Sequence, residues 1–133
     1  RVPVFFTEKQ LSQTNRIKPF VSTKEAYGCD SVEEQLKDEK SVLNFVKQLI
    51  HIKKSKTIEP FLINSKYQAY KTYESVINYK RVLGQKEMIV LINMSDTTKK
   101  VDLIQGNVLV SNYHLVQFDG TLDAYYSIIL TNF

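Results

Sequence analysis

The sequence predicts an α+β fold: an irregular lead-in and one amphipathic helix, followed by an antiparallel β-sandwich of about seven or eight strands. Apolar side chains recur with helical spacing between residues 42 and 52. Beyond residue 56 the pattern changes to short runs of Val, Ile, Leu, Tyr and Phe separated by Gly, Asn and Asp, as in strands joined by tight turns. The length of 133 residues suits one domain with a real core and falls far short of the roughly 250 of a (β/α)8 barrel.

An apolar content of 43%, a charged content of 24%, and only four Gly and three Pro describe an ordinary globular chain rather than a disordered or fibrous one. The net charge of +4 is spread without a basic tail, a poor basis for nucleic-acid binding. Cys29 is the only cysteine, so an intrachain disulfide is excluded. With His51 and His114 it forms no zinc-ligand spacing, and neither metal nor cofactor is expected. No signal peptide or membrane-spanning apolar run is present, which makes a cytoplasmic location the default. The first residue is Arg1 rather than Met, as expected for a chain taken from the interior of a longer reading frame.

Residues 1–30 carry no sustained period, with Pro3, Pro19 and Gly28 among scattered Ser, Thr and Asn. A single helix is expected across the run SVEEQLKDEKSVLNFVKQLIHIKKS, residues 31–55. Val42, Phe45, Val46, Leu49 and Ile52 share one face, Leu43 and Ile50 widen it, and Asp38 is placed to cap the apolar half. Lys53, Lys54 and Lys56 follow where the helix dipole favours cations. Burying each face residue would contribute about 1.5–3 kcal/mol, so the stripe needs a large docking surface.

Ser31, Val32, Glu33, Gln35, Asp38, Ser41, Val42, Leu43, Asn44, Phe45, Leu49, Ile50, Lys54 and Ser55 match a recognisable run. The run is similar to the last barrel helix of the α-glucosidase and oligo-1,6-glucosidase branch of the family 13 glycoside hydrolases. Upstream, Arg1, Pro3 and Phe6 resemble that branch's R-T-P-M-Q-W stretch, Pro19-Phe20 its P-W step, and Tyr27 stands four residues before Ser31. Val4, Phe5 and Phe6 depart from it. Downstream, Met88–Asp96 resembles the family's L-L-V-V-L-N-F-S-D strand, Val110–Tyr113 its L-S-N-Y, and Leu122–Tyr125 its L-R-P-Y.

The resemblance implies residues 1–55 as lead-in and last barrel helix, and residues 56–133 as the sandwich often called domain C. Strands are expected near residues 60–63, 67–70, 76–82, 87–92, 99–103, 108–111, 115–117 and 126–131. Leu83-Gly84-Gln85-Lys86 makes the hairpin between the third and fourth the best defined. Residues 88–92 are apolar on both faces and read as a central strand.

A retaining glycosidase needs two carboxyl groups about 5–5.5 Å apart. The family's catalytic carboxylates lie on barrel strands that would precede Arg1, so no catalytic residue is expected here. Glu33, Glu34, Asp38 and Glu39 read as the acidic lead-in of a helix N-terminus. Cys29, His51 and His114 form no nucleophile arrangement.

Tyr67, Tyr70, Tyr73 and Tyr79, interleaved with Lys66, Lys71, Lys80 and Arg81, are candidates for a sugar platform or, less well supported, a nucleic-acid surface. The plainer account is that Tyr favours strands and Lys protects sheet edges. Asn93 and Asn112, at strand ends, read as Asx-turn residues rather than sugar-binding amides.

The expected function is that of a non-catalytic domain stabilising a catalytic barrel in the same or a longer chain. A stand-alone carbohydrate-binding sandwich is the alternative, and a nucleic-acid module ranks behind it. Val42, Phe45, Val46, Leu49 and Ile52 would face the barrel. Without it, they would drive a homodimer through the helix.

Overall fold

The computed structural model describes residues 6, 7, 9, 31–113 and 117–133. The likenesses at Arg1, Pro3, Pro19, Phe20 and Tyr27, the Cys29 and His114 side chains, and most of the expected strand at 115–117 lie outside them. The described residues form α1 (Val32–Lys37), α2 (Val42–Lys53), α3 (Ile58–Asn64), β1 (Lys66–Ala69), β2 (Val76–Leu83), β3 (Lys86–Asn93), β4 (Lys99–Lys100), β5 (Asn107–Ser111), β6 (Thr121–Leu122) and β7 (Ser127–Thr131). This is the expected α+β class, with three helices among the described residues in place of one. The chain divides into two compact units, residues 1–50 and 51–133.

In the first unit the expected single helix is broken between Lys37 and Val42. Ser31 caps α1 through a capping box: its Oγ accepts the Glu34 amide and the Glu34 carboxylate accepts the Ser31 amide. Asp38 does not cap α2. It closes α1, and its Oδ1 accepts the Lys40 amide in a local turn. The cap of α2 is Ser41, whose Oγ accepts the Asn44 amide. Ser41 Oγ also donates to the Gln35 carbonyl, and Asn44 Nδ2 lies 2.8–3.2 Å from the carbonyls of Gln35, Leu36 and Asp38. Polar side chains thus satisfy the orphan carbonyls that a continuous helix would have satisfied with its own amides.

In the second unit five strands form an antiparallel sheet in the order β1-β2-β3-β7-β5, and β4 pairs with β6 in a separate two-stranded ladder. Of the two loop residues between β2 and β3, only the first, Gly84, has positive φ (59°), the pattern of a type II′ hairpin. Residues 60–63 are not a strand but part of α3. Ile58, Phe61 and Leu62 stand at helical spacing, and Pro60 is tolerated in the first turn, where its missing N–H would have no partner. The expected strand at 99–103 shortens to the two residues of β4, and β6 is an element the sequence reading did not anticipate.

β3 is central, as its apolar run implies, and its side chains alternate between two cores. On one face Ile89 and Leu91 pack with Val76, Ile128, Leu130, Phe118, Leu122 and Tyr126. Toward the other, Met88 packs with Ile58 and Phe61, joined by Ile52, Leu109, Ile129 and Phe133. The Phe61 and Phe133 rings lie 4.7 Å apart, and Lys86 Nζ sits 5.2 Å from the Phe133 centroid. Arg81 anchors the end of α3, donating to Ser65 Oγ (2.8 Å) and to the carbonyls of Leu62 (2.7 Å) and Ser65 (3.0 Å). No helix among the described residues is long and apolar enough to cross a membrane.

Two substitutions test this packing. Gly120 has φ of +86°, and a Cβ there would stand 2.9 Å from the Val101 carbonyl oxygen. Gly120→Ala is expected to lower stability by about 1–3 kcal/mol, read from the urea midpoint. Tyr126 is 1% exposed and its hydroxyl has no hydrogen-bond partner among the described residues. Burial pushes its phenol above the usual value; the Ser111 hydroxyl acts the other way, but its own proton goes to the Tyr113 carbonyl. Tyr126→Phe is therefore expected to leave stability unchanged or raise it by about 1 kcal/mol, and a loss beyond that would show that the hydroxyl is satisfied in solution.

Candidate functional site

The four candidate tyrosines do not form one platform. The register aligns Tyr67 with Arg81 and Ala69 with Tyr79, which puts Tyr67 and Tyr79 on the α3 side of the sheet. Their ring centroids are 5.6 Å apart. Tyr70 and Tyr73 pack instead against the opposite core, and the Tyr73 hydroxyl accepts the Asp102 amide (3.3 Å). Neighbouring cations are engaged as well: Lys71 pairs with Asp102, Lys80 with Glu87 at 3.1 Å, and Arg81 binds the end of α3.

Asn93 is 1% exposed. Its Oδ1 accepts the Ser95 amide and hydroxyl, which is the expected Asx turn. Its Nδ2 also lies 2.8, 3.1 and 2.8 Å from the carbonyls of Thr97, Leu122 and Asp123, tying the end of β3 to β6. Asn112 makes long-range rather than local bonds, accepting the Ser127 amide and donating to the Tyr125 carbonyl. Both amides are committed within the chain.

The acidic group of the first unit is also locally engaged: Glu33 pairs with Lys37 at 3.1 Å, Glu34 completes the capping box and Asp38 closes α1. His51 is exposed in the last turn of α2. Among the described residues no group of three or more His, Cys, Asp or Glu side chains is placed to hold a metal. The expected apolar stripe of α2 divides. Val42 and Val46 are exposed (74% and 43%) together with Ile50 (49%), whereas Phe45, Leu49 and Ile52 are half-buried.

One concave feature among the described residues is a groove of about 380 Å³ at one end of the sheet's Leu91 face. Ile89 and Leu130 reach it from β3 and β7, Tyr70 from the segment after β1, and residues 103–105 from the loop before β5. The Lys80–Glu87 pair, Thr131 and Asn132 complete the lining. Asn132 accepts the Glu87 amide at 2.8 Å and donates to the Gln85 carbonyl at 3.0 Å, which fixes that wall. The groove holds one carboxylate, already paired, so it offers a binding surface rather than an acid and base. Its sequence signal was faint, because the lining comes from five separated segments and only Tyr70 and Lys80 belonged to a conspicuous cluster.

No family model matches the sequence, and no curated protein matches it either. Solved structures do. The isomaltulose synthase of Erwinia rhapontici NX5 superposes with a TM-score of 0.74 at 21% identity, over 98% of this chain and 25% of that one. A family GH13_31 enzyme gives 0.65 at 23% identity, over 77% and 18%. The α-amylase of H. orenii gives 0.61 at 22% identity, over 77% and 22%. The chain shares its fold with part of a family 13 glycoside hydrolase. It spans a quarter or less of those enzymes' length.

Lys71 and Asp102 give a pH test. The side-chain hydrogen bond from Lys71, and next its charge, hold the Asp102 carboxyl below its usual value; Asp102 raises the Lys71 ammonium by the same two effects. The carboxyl's contribution to stability is present above the ordinary carboxylate value and lost as pH falls through the lowered one. The ammonium's is present below the ordinary lysine value and lost as pH rises through the raised one. Both groups are exposed, so the effect is small. Asp102→Asn is expected to be slightly less stable than wild type at neutral pH, with the two urea midpoints converging in acid; a gap persisting at low pH would assign the effect to the amide instead.

Proposed function

We propose that the chain is the carboxy-terminal, non-catalytic part of a family 13 glycoside hydrolase of the α-glucosidase type, working in the cytoplasm. Its role is to stabilise a (β/α)8 catalytic barrel carried in the same, longer polypeptide. The observation that carries this reading is the superposition over 98% of this chain on an enzyme of which it matches 25%. The helix motif at residues 31–55 and the strand motif at residues 88–96 support it from the sequence side. The reaction of the whole enzyme would be retaining hydrolysis of α-glucosidic bonds, performed by residues outside this chain.

The exposed stripe Val42, Val46 and Ile50 lies along one side of α2 at spacings of four, and on this reading the barrel covers it. Such a contiguous apolar strip seeks another surface when its partner is missing. In the isolated chain that surface is a second copy, so a homodimer through α2 replaces the barrel contact.

The purified chain is expected to show no hydrolysis of p-nitrophenyl α-glucoside, maltose or isomaltose above background. Turnover that survives purification and disappears on replacing Glu33 or Asp38 would overturn the reading. In sedimentation, wild type is expected to dimerise and a Val46→Lys, Ile50→Lys variant to run as a monomer of similar melting temperature; a monomeric wild type would refute the helix contact.

A further inference from the structure

We infer that the groove beside the Lys80–Glu87 pair binds a neutral pyranose, one sugar unit of an oligosaccharide. This goes beyond the structural role proposed above and does not depend on it. The argument starts from charge. Lys80 Nζ and Glu87 Oε1 lie 3.1 Å apart, and their side chains are 24% and 37% exposed, so the pair is partly sheltered while its formal charges cancel. A phosphate entering the groove would meet Glu87 and a cation would meet Lys80, each against a like charge. A neutral ligand is opposed by neither. The ion pair can still act on it, because an ammonium has three donors and a carboxylate about four acceptor sites, and one contact between them uses few of these.

The remaining lining selects among neutral ligands. Leu103, 65% exposed, and the half-buried Ile104 supply apolar surface over the buried Ile89 and Leu130, and Tyr70 adds an aromatic side chain. The Gln105 side-chain amide makes no hydrogen bond within the described residues, which leaves donors and an acceptor on the loop before β5 that lines the same groove as the ion pair. A pyranose presents what this lining matches: a face of C–H groups, and ring hydroxyls that each donate and accept. The volume of about 380 Å³ lies at the small end of the range for small-molecule sites, roughly 300–1,000 Å³.

Gly106 sets the width. A Cβ there would stand 2.9 Å from the Thr131 carbonyl oxygen, so only glycine lets the loop bearing Gln105 approach β7 this closely. Gly106→Ala should push that loop away and open the groove.

The test is an amide NMR titration of the intact chain with maltose and isomaltose, and with inorganic phosphate as the charged control. Either sugar at millimolar concentration is expected to shift the amides of Glu87, Gln105 and Asn132, while phosphate leaves them in place. Gln105→Ala, at an exposed position without internal bonds, is expected to weaken binding about tenfold with an unchanged melting temperature, and Gly106→Ala to weaken it at least as far. The inference fails if tens of millimolar sugar moves none of the three amides, if shifts appear at Tyr67 and Tyr79 instead, if phosphate moves them more than sugar does, or if Gln105→Ala binds as wild type. Because no turnover is read, these outcomes are independent of whether the chain belongs to a larger hydrolase.

Discussion

Burial of β3 on both faces is the constraint on which the second unit depends. Met88, Ile89, Val90 and Leu91 are all at most 7% exposed, so neither face of this strand tolerates water. A single sheet cannot meet that demand. One face is closed by Phe118, Leu122 and Tyr126, carried on the β6 ladder and the segments beside it, and the other by α3 and the carboxy-terminal Phe133. At about 1.5–3 kcal/mol per large apolar side chain, both coverings are needed to offset the entropy lost in ordering short elements.

Elements as short as β4 and β6 cannot persist through their own ladder bonds. They are held by side chains reaching in from the large sheet, above all the Asn93 amide, which binds carbonyls on both connecting segments. An amide serves here where a hydroxyl would not, since it offers two donors and an acceptor from one buried position. Asn44 acts in the same way in the first unit, joining the end of α1 to the start of α2.

Legibility in the sequence followed the strength of local periodicity. β2, β3 and their hairpin were readable because an eight-residue apolar pattern and a glycine turn coincide. α3 was missed because Ile-Glu-Pro-Phe-Leu-Ile is too short for its helical period to show, and its β-branched residues and proline resemble an edge strand. The break at residues 38–41 was in view as Asp38 and Ser41 at capping positions, yet the apolar stripe beyond it outweighed them. The groove could not be read at all, because it depends on register: Lys80 and Glu87 converge only when the Gly84 turn pairs Lys80 with Ile89. Scattered likenesses at fixed spacing pointed to the family 13 fold although overall identity to the solved enzymes is 19–23%.

Among the described residues the order β1-β2-β3-β7-β5 also leaves β1 and β5 at the sheet's edges, and each is blunted differently. β1 is four residues long, exposed along its length and headed by Lys66, too short to recruit a long strand. β5 carries an irregularity between Val108 and Val110 that interrupts the even row of donors and acceptors. At high concentration the chain is therefore protected against growing end to end as a continuous sheet. Its colloidal behaviour should be that of a protein with one sticky helix rather than that of a fibre former.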